Sequence, residues 1–144
     1  MSSPIRSIDW LLQNFISSSS GVISVVVTSS DGLLIASENV DDNATTGLAD
    51  ILSALASGVH SLARGASRQL HAGNVSQTLI QMGEVNMFIM AAGDGAILTV
   101  MGKPDADPGQ LIYEMGLLIQ QMPQNLSVPE RIMPAGAVQA RPLT

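Results

Sequence analysis

A chain of 144 residues, of which 46% are hydrophobic, is long enough to bury the core of one globular domain. Its net charge of −6, with six basic residues and 3% aromatic residues, argues against a nucleic-acid-binding protein, because such proteins neutralise phosphates and, on single strands, stack bases on aromatic rings. The sequence has no cysteine, which excludes disulfides, thiolate metal sites and cysteine nucleophiles.

Charged residues make up 12% of the chain, about half the usual share. Two interpretations of this shortage stay open: a partner covers part of the surface, or the surface is built from small residues and serine. The segment 1–6 lacks the basic and then apolar pattern of a signal peptide, and no uninterrupted apolar run approaches about 18 residues. We therefore expect a cytoplasmic protein without a membrane span.

The first part of the chain predicts a helix followed by a β-hairpin. Ser3-Pro4 is a typical helix start, because serine caps open N–H groups and proline suits the first helical position. Apolar residues then recur at helical spacing up to the serine run that ends at Gly21. The β-branched segment 22–28 predicts a buried strand, the Asp-Gly pair at 31–32 predicts a tight turn, and segment 33–37 predicts the partner strand.

A long helix is predicted from the acidic segment 41–43, which suits a helix N-terminus, to about Leu70. Arg64 and Arg68 lie near its end, where cations interact favourably with the helix dipole. We expect the apolar stripe of this helix to pack on the sheet of its own chain. The stripe consists of Leu48, Ile51, Leu52, Leu55, Val59 and Leu62.

Three further strands and a last helix follow. Segments 75–82, 85–92 and 96–101 predict strands joined by tight glycine turns, and 75–82 is the most polar of them, as expected for a sheet edge. Asp107-Pro108 starts a helix that Pro123 ends. Strands with this much apolar sequence need cover on both faces, so we expect an α/β (α+β) fold with a central antiparallel sheet and helices on both sides.

The predicted domain occupies residues 1–123. Residues 124–144 contain three prolines and no apolar periodicity. Such a segment cannot bury enough apolar surface to offset the entropy of ordering it. We therefore expect a flexible tail that folding does not need.

No catalytic motif is complete. The Gly-Lys pair at 102–103 lacks the first glycine of a phosphate-binding P-loop, and the Gly-Asp-Gly sequence at 93–95 is better explained as a hairpin turn than as a dinucleotide-binding loop. His60 and His71 have no carboxylate at metal-ligand spacing, which favours surface or boundary positions for both. We therefore expect no catalytic residues, no metal and no cofactor, in a protein that is not an enzyme.

The predicted long helix also carries a stripe of small residues. Ala54, Gly58, Ser61 and Gly65 follow each other at steps of four, three and four residues and therefore share one side. Each glycine inside a helix costs about 1 kcal/mol relative to alanine, so this helix gives up stability for a thin surface that another backbone can approach. The stripe packs either on its own sheet or against a second copy; we favour the dimer, with strand 75–82 as a second pairing surface.

Several short strings occur in an order and spacing that are fairly specific. They are Leu11-Leu12 through Phe15 before Gly21-Val22, Val25-Val26-Val27 leading into Ser30-Asp31-Gly32-Leu33-Leu34, Leu62-Ala63-Arg64-Gly65-Ala66, Gln77-Thr78, Met90-Ala91-Ala92-Gly93-Asp94-Gly95 and Tyr113-Glu114-Met115. Over roughly residues 7–122 the chain resembles the roadblock / dynein light chain domain family, and within it the bacterial branch of MglB-type and actinobacterial proteins encoded beside small Ras-like GTPases.

The resemblance implies a five-stranded antiparallel sheet in the order helix-strand-strand-helix-strand-strand-strand-helix, with one long helix on one face and two helices on the other. It also implies a homodimer formed through the long helix and the third strand, without catalytic residues or a cofactor. The interface residues expected on these two elements are Ala54, Gly58, Ser61, Leu62, Gly65, Gln77, Leu79 and Gln81.

The function that the resemblance implies is that of a non-catalytic adaptor or regulator of a small Ras-like GTPase, including stimulation of GTP hydrolysis without an arginine finger. We assign no finger role to Arg64, which is better explained as a helix arginine. One alternative is a pure scaffold or structural subunit with no effect on nucleotide turnover. A small-molecule sensor is less favoured, because the apolar strands offer few polar groups to a pocket.

Overall fold

Within the described residues, eight secondary-structure elements follow each other in the predicted order. The computed structural model describes residues 4–93, 95–123 and 126. The elements are helix α1 (Pro4–Ser18), strands β1 (Val22–Ser29) and β2 (Leu34–Glu38), helix α2 (Leu48–Leu70), strands β3 (Thr78–Gln81), β4 (Asn86–Ala91) and β5 (Ala96–Gly102), and helix α3 (Pro108–Gln121).

The five strands form one antiparallel sheet in the order β2-β1-β5-β4-β3. β1 and β5 make its centre and pair from Val22 against Gly102 to Ser29 against Ala96. Most of their side chains are buried, which explains why both strands are nearly continuous apolar runs. β3 lies at one edge of the sheet, as its polar sequence predicts, and β2 lies at the other.

Each face of the sheet has its own apolar cluster. On one face, α1 and α3 pack over a cluster that contains the buried side chains of Leu12, Phe88 and Met115. On the opposite face, α2 packs over a smaller cluster that includes Val26 and Ile89. Full burial of one such side chain contributes about 1.5–3 kcal/mol, so these two clusters carry most of the driving force for folding. The predicted fold class, with one long helix on one face and two helices on the other, is confirmed.

The start of α3 forms as predicted, whereas the start of α2 does not. The Asp107 carboxylate accepts a hydrogen bond from the Gly109 N–H at 3.0 Å, and proline follows at the first helical position. α2 begins only at Leu48, because the Asp41 carboxylate instead accepts hydrogen bonds from the two N–H groups of residues 43 and 44 and holds a turn there. Asp42 still accepts from the Ala49 N–H at 3.4 Å, so part of the acidic segment reaches the first helical turn.

β3 is shorter than the predicted strand 75–82. It covers Thr78–Gln81 and pairs with β4 only from Thr78 against Ile89 to Gln81 against Asn86. Residues 74–77 continue from the end of α2 without pairing in the sheet. In this single chain, the first three residues of the predicted strand, 75–77, therefore have no ladder partner.

Gly21 connects α1 to β1 at a point where no side chain fits. Its φ of +86° lies in the left-handed region, and a Cβ added there would come within 2.6 Å of the Ala106 Cβ. Its carbonyl accepts a hydrogen bond from the Lys103 N–H at 2.8 Å. This glycine therefore ties the start of the central strand to the loop before α3.

The predicted tail lies largely outside the described residues. Leu126 is half-buried and packs against the cluster beneath α1 and α3, which also contains the buried Met122. The predicted boundary at residue 123 and the flexible tail from 124 stay predictions. No helix within the described ranges is both long and apolar enough to cross a membrane.

Candidate interaction surface

The fully buried side of α2 consists mainly of small residues, and most of its large apolar residues lie elsewhere on the helix. Its buried residues are Ala49, Ser53, Ala56 and His60, at steps of four, three and four residues. The expectation that the apolar stripe packs on the chain's own sheet was wrong for half of the stripe. Leu52 and Val59 do pack against the cluster under α2, and Leu48 is half-buried. The other three members, Ile51, Leu55 and Leu62, are exposed by 45%, 54% and 77%.

The physical reason lies in the sheet face that α2 covers. This face presents bulky side chains, among them Met87, Ile89 and Met101. A helix can approach such a surface closely only through small side chains, because interiors pack to crystal-like density. Because the side of α2 that faces the sheet is taken up by small residues, several of its large apolar residues lie on the side that faces away from the sheet.

The outward side of α2 combines these exposed apolar residues with the two mid-helix glycines. Ile51, Leu55, Gly58, Leu62 and Gly65 follow each other at steps of four, three, four and three residues. This is the spacing of the seam that one helix presents to another in a coiled coil. We call these five residues the outer α2 face.

Nothing in the described part of the chain explains the glycines of the outer α2 face. A Cβ added at Gly58 would meet no atom within 4 Å, and one added at Gly65 would meet only the Arg68 guanidinium at 3.9 Å. Each glycine nevertheless costs about 1 kcal/mol of helix stability relative to alanine. A shallow groove of about 730 Å³ runs over both of them and past Leu62. The chain therefore keeps a thin, open and apolar strip that is not used by the part of the fold that the structure describes.

The structure brings together the predicted interface residues of α2. Ala54, Gly58, Ser61 and Leu62 are exposed and Gly65 is half-buried, all on the outward side of the helix. Sequence reasoning missed Ile51 and Leu55 as members of this surface, because it assigned them to the core. Their regular spacing relative to the glycines is the signal that could have identified them.

The predicted interface residues of β3 lie apart from those of α2. Ile80 packs against the cluster under α2, whereas Leu79 pairs with Phe88, whose side chain lies in the cluster on the opposite face. Successive side chains of a strand alternate between faces, so Leu79 and Gln81 point away from α2. Both are exposed, as is Gln77 just before the strand. β3 can therefore share an interface with α2 through its backbone edge, but not through these side chains.

A cleft of about 570 Å³ lies between the C-terminal half of α2 and the turns at one end of the sheet. His60, Arg64 and Arg68 line it, together with the turn residues Ser30 and Gly95. Sequence reasoning placed His60 at the surface or boundary, and this was wrong: the side chain is 8% exposed. Burial, and secondarily the charge of Arg64, lower the pKa of His60 below its usual value.

The cleft also makes the small-molecule sensor a stronger alternative than the sequence indicated. A sensor was less favoured because the strands offer few polar groups to a pocket, yet here the polar groups come from a helix and from turns. Three residues at steps of four, 60, 64 and 68, form one row along α2. That spacing was visible in the sequence, but the turns that complete the cleft were not. Within the described ranges, no group of three His, Asp or Glu side chains could hold a metal ion.

Comparison with known proteins places these features in a family. The family model of the Roadblock/LC7 domain matches residues 8–101, more than half of the chain. No curated protein sequence matches the chain. The crystal structure of a Roadblock/LC7 domain from Streptomyces avermitilis is 33% identical, with a TM-score of 0.71, and the match covers 78% of this chain and 91% of that one.

Two more distant structures share the fold. MglB from Myxococcus xanthus is 12% identical with a TM-score of 0.73, and the match covers 84% of this chain and 88% of that one. The gliding protein MglB from Thermus thermophilus is 13% identical with a TM-score of 0.72, covering 85% and 90%. The family model, the Streptomyces relative and the sheet with its three helices agree: this chain belongs to the Roadblock/LC7 domain family.

Proposed function

We propose that the protein is a homodimeric, non-catalytic adaptor or regulator of a small Ras-like GTPase. The observation that carries the proposal is the outer α2 face, an exposed apolar strip around Gly58 and Gly65 that nothing in the described chain uses. The GTPase role rests on membership of the family and on the resemblance to its bacterial branch, whose members are platforms for small GTPases. A cytoplasmic location and a dispensable tail from residue 124 belong to the same proposal.

Burial of the outer α2 face alone contributes too little free energy for a stable dimer, which favours an interface that also includes β3. Burying the exposed parts of Ile51, Leu55 and Leu62 on two protomers contributes roughly 6–12 kcal/mol, at about 1–2 kcal/mol for each side chain. Association costs about 4–15 kcal/mol in lost freedom of motion, so the helix contact alone leaves little surplus. The open backbone edge of β3 can supply additional hydrogen bonds to a second copy. We therefore propose that the two sheets join at β3 while the α2 helices pack against each other.

The thin surface explains why glycine is tolerated at Gly58 and Gly65. Close approach of two helix backbones multiplies dispersion contacts, each of which is worth only about 0.1–0.2 kcal/mol but many of which form at once. A two-fold symmetric contact places each glycine near its own copy or near a neighbour on the partner helix, so each gain counts twice. This offsets the helix stability that the two glycines cost.

The test of the regulatory role uses the purified chain and a small Ras-like GTPase from the same organism. The affinity of the chain for the GDP-loaded and the GTP-loaded GTPase is measured by calorimetry, and the GTP hydrolysis rate is measured with and without the chain. We expect different affinities for the two states, and no binding of GTP to the chain alone, because the chain lacks a P-loop.

The same experiment separates the regulator from the scaffold. A partner that binds both nucleotide states equally cannot shift or report them. Equal affinities together with an unchanged hydrolysis rate would contradict regulation and favour the pure scaffold. No binding to the GTPase in either state would contradict the GTPase role and leave a scaffold for other proteins as the alternative.

A further inference from the structure

The cleft beside α2 concentrates positive charge in an acidic protein. Arg64 and Arg68 are two of the six basic residues of a chain with a net charge of −6, and both line this one cleft. They lie one helical turn apart, and like charges at this spacing destabilise a helix by about 0.2–0.5 kcal/mol. Neither arginine forms an ion pair with any residue that the structure describes, and no described residue that lines the cleft is a carboxylate. The charge of the cleft is therefore uncompensated by the described part of the fold.

His60 adds an independent observation at the inner wall of the same cleft. Its side chain is more than nine-tenths buried, and its Nδ1 atom has no hydrogen-bond partner in the described part of the protein. A buried polar atom without a partner costs about 1–3 kcal/mol, so such atoms are uncommon in folded proteins. The neighbouring Arg64 also opposes protonation of the ring. An anion in the cleft would offset the charge of Arg64, and its oxygen could accept a hydrogen bond from Nδ1 in the ring form that carries its proton there.

The walls of the cleft leave room for a ligand larger than an ion. Ser67 Oγ donates a hydrogen bond to the Gly73 carbonyl, which holds the chain after α2 against the helix at the rim. Asn74 and Ser30 supply polar groups across from the arginines. A volume of about 570 Å³ lies within the range of small-molecule sites, whereas a lone inorganic anion would fill only a part of it.

We propose that this cleft binds a small phosphorylated molecule. Arg64 and Arg68 would hold the phosphoryl group, because guanidinium groups form paired, charge-assisted hydrogen bonds with the oxygens of a phosphate. His60 lies at the inner wall, and the polar groups of Ser30 and Asn74 face the remainder of the ligand. The cleft adjoins the groove over the outer α2 face, because Arg68 lines both, but the proposal makes no use of the proposed GTPase role.

The test titrates the purified full-length chain with three probes at constant ionic strength: inorganic phosphate, pyrophosphate and glycerol 3-phosphate. Binding is followed by calorimetry and by the NMR signals of the two histidine rings. We expect saturable binding of one ligand per chain, with a shift of the His60 signal and none of the His71 signal. Tighter binding of the ester than of inorganic phosphate would identify an organic phosphate as the ligand, and equal binding would identify free phosphate; both support the site.

Variants that each remove one positive charge show whether the phosphate probes bind in the cleft. Arg64→Gln and Arg68→Gln should each weaken binding at least tenfold, whereas Lys103→Gln removes the same charge outside the cleft and should leave the affinity unchanged. All three positions are exposed, so the melting temperature without ligand serves as the control for folding.

Four outcomes would overturn the proposal. The first is no saturable binding of any probe, and the second is an equal loss of affinity in Lys103→Gln. The third is binding only after Asp94→Asn; Asp94 stands beside Gly95 in the sequence but lies outside the described residues. The fourth is an Arg64→Gln chain that loses the GTPase while the wild-type chain ignores phosphate, because the cleft would then receive a carboxylate of that protein.

Discussion

Replacing Gly58 by arginine tests the outer α2 face. The substitution should stabilise the protein if this face is free in solution and destabilise it if the face is a dimer interface. In a single chain, a Cβ at this position meets no described atom within 4 Å, so the first side-chain atom has free space around it. Arginine is a better helix former than glycine by about 1 kcal/mol. If the face is free in solution, Gly58→Arg should therefore raise the melting temperature by about 4 °C.

In a two-fold dimer the same substitution acts twice. Two guanidinium groups would enter a groove whose neighbours include the exposed side chain of Leu62 and the second glycine, Gly65. Desolvation and like-charge repulsion should cost about 3 kcal/mol or more, which corresponds to a loss of roughly 100-fold in dimer affinity. We expect the variant to be a monomer at concentrations where the wild type is a dimer.

Sedimentation velocity over a range of concentrations gives the dimer affinity, and calorimetric melting gives the stability. Gly116→Arg in α3 is the matched control, since a Cβ at Gly116 also meets no atom within 4 Å. It should change helix stability without changing the dimer affinity. A Gly58→Arg protein that stays dimeric and melts at a higher temperature than the wild type would refute the proposed interface.

Four further predictions concern stability. Ending the chain after Leu126, which removes residues 127–144, should leave the melting temperature unchanged; a large drop would show that the tail is packed. Gly21→Ala forces a Cβ toward that of Ala106 at a φ of +86° and should cost roughly 2–4 kcal/mol in urea unfolding, and an unchanged midpoint would contradict this geometry. The pKa of His60 is lowered by burial and by a neighbouring arginine, so the unfolded chain takes up its proton first. The free energy of unfolding should therefore fall as the pH drops below about 6.5, and His60→Gln should flatten this dependence; equal slopes in both proteins would argue against a shifted pKa. Thr99 is fully buried and its hydroxyl has no partner among the described residues, so Thr99→Val should stabilise the protein by about 1 kcal/mol in the same urea assay, and a destabilised variant would indicate a buried water.

Elements with strong local signals could be predicted from the sequence. The start of α3 combines a capping carboxylate at Asp107 with a proline, and both act within one turn. The start of α2 could not be predicted in the same way, because Asp41 has two local uses and the turn takes its carboxylate. The helix instead starts after Gly47, whose φ of +72° provides the change of direction although this residue has no side chain to cap the helix.

The orientation of α2 depended on information that is not local. Hydrophobic periodicity indicates that leucines face the core, and for Leu52 it is right. Leu55 and Leu62 face outward because the sheet already fills the space under the helix with methionine and isoleucine side chains. Which residues fit under α2 is decided by the opposite strands, and the cleft at His60 depends in turn on where those strands end.

The central pairing of β1 with β5 has a consequence for synthesis of the chain. β1 can pair with β2 as soon as the hairpin emerges, but its other edge stays open until the last strand has been made. During that time a β-branched, uncharged strand presents unpaired backbone groups, which is the kind of segment that recruits strands from other chains. Closing this long loop carries an entropic cost that local contacts do not repay, so we expect it to limit the folding rate. The β1–β5 pairing at the centre of the finished sheet therefore forms only after β5 has been synthesised.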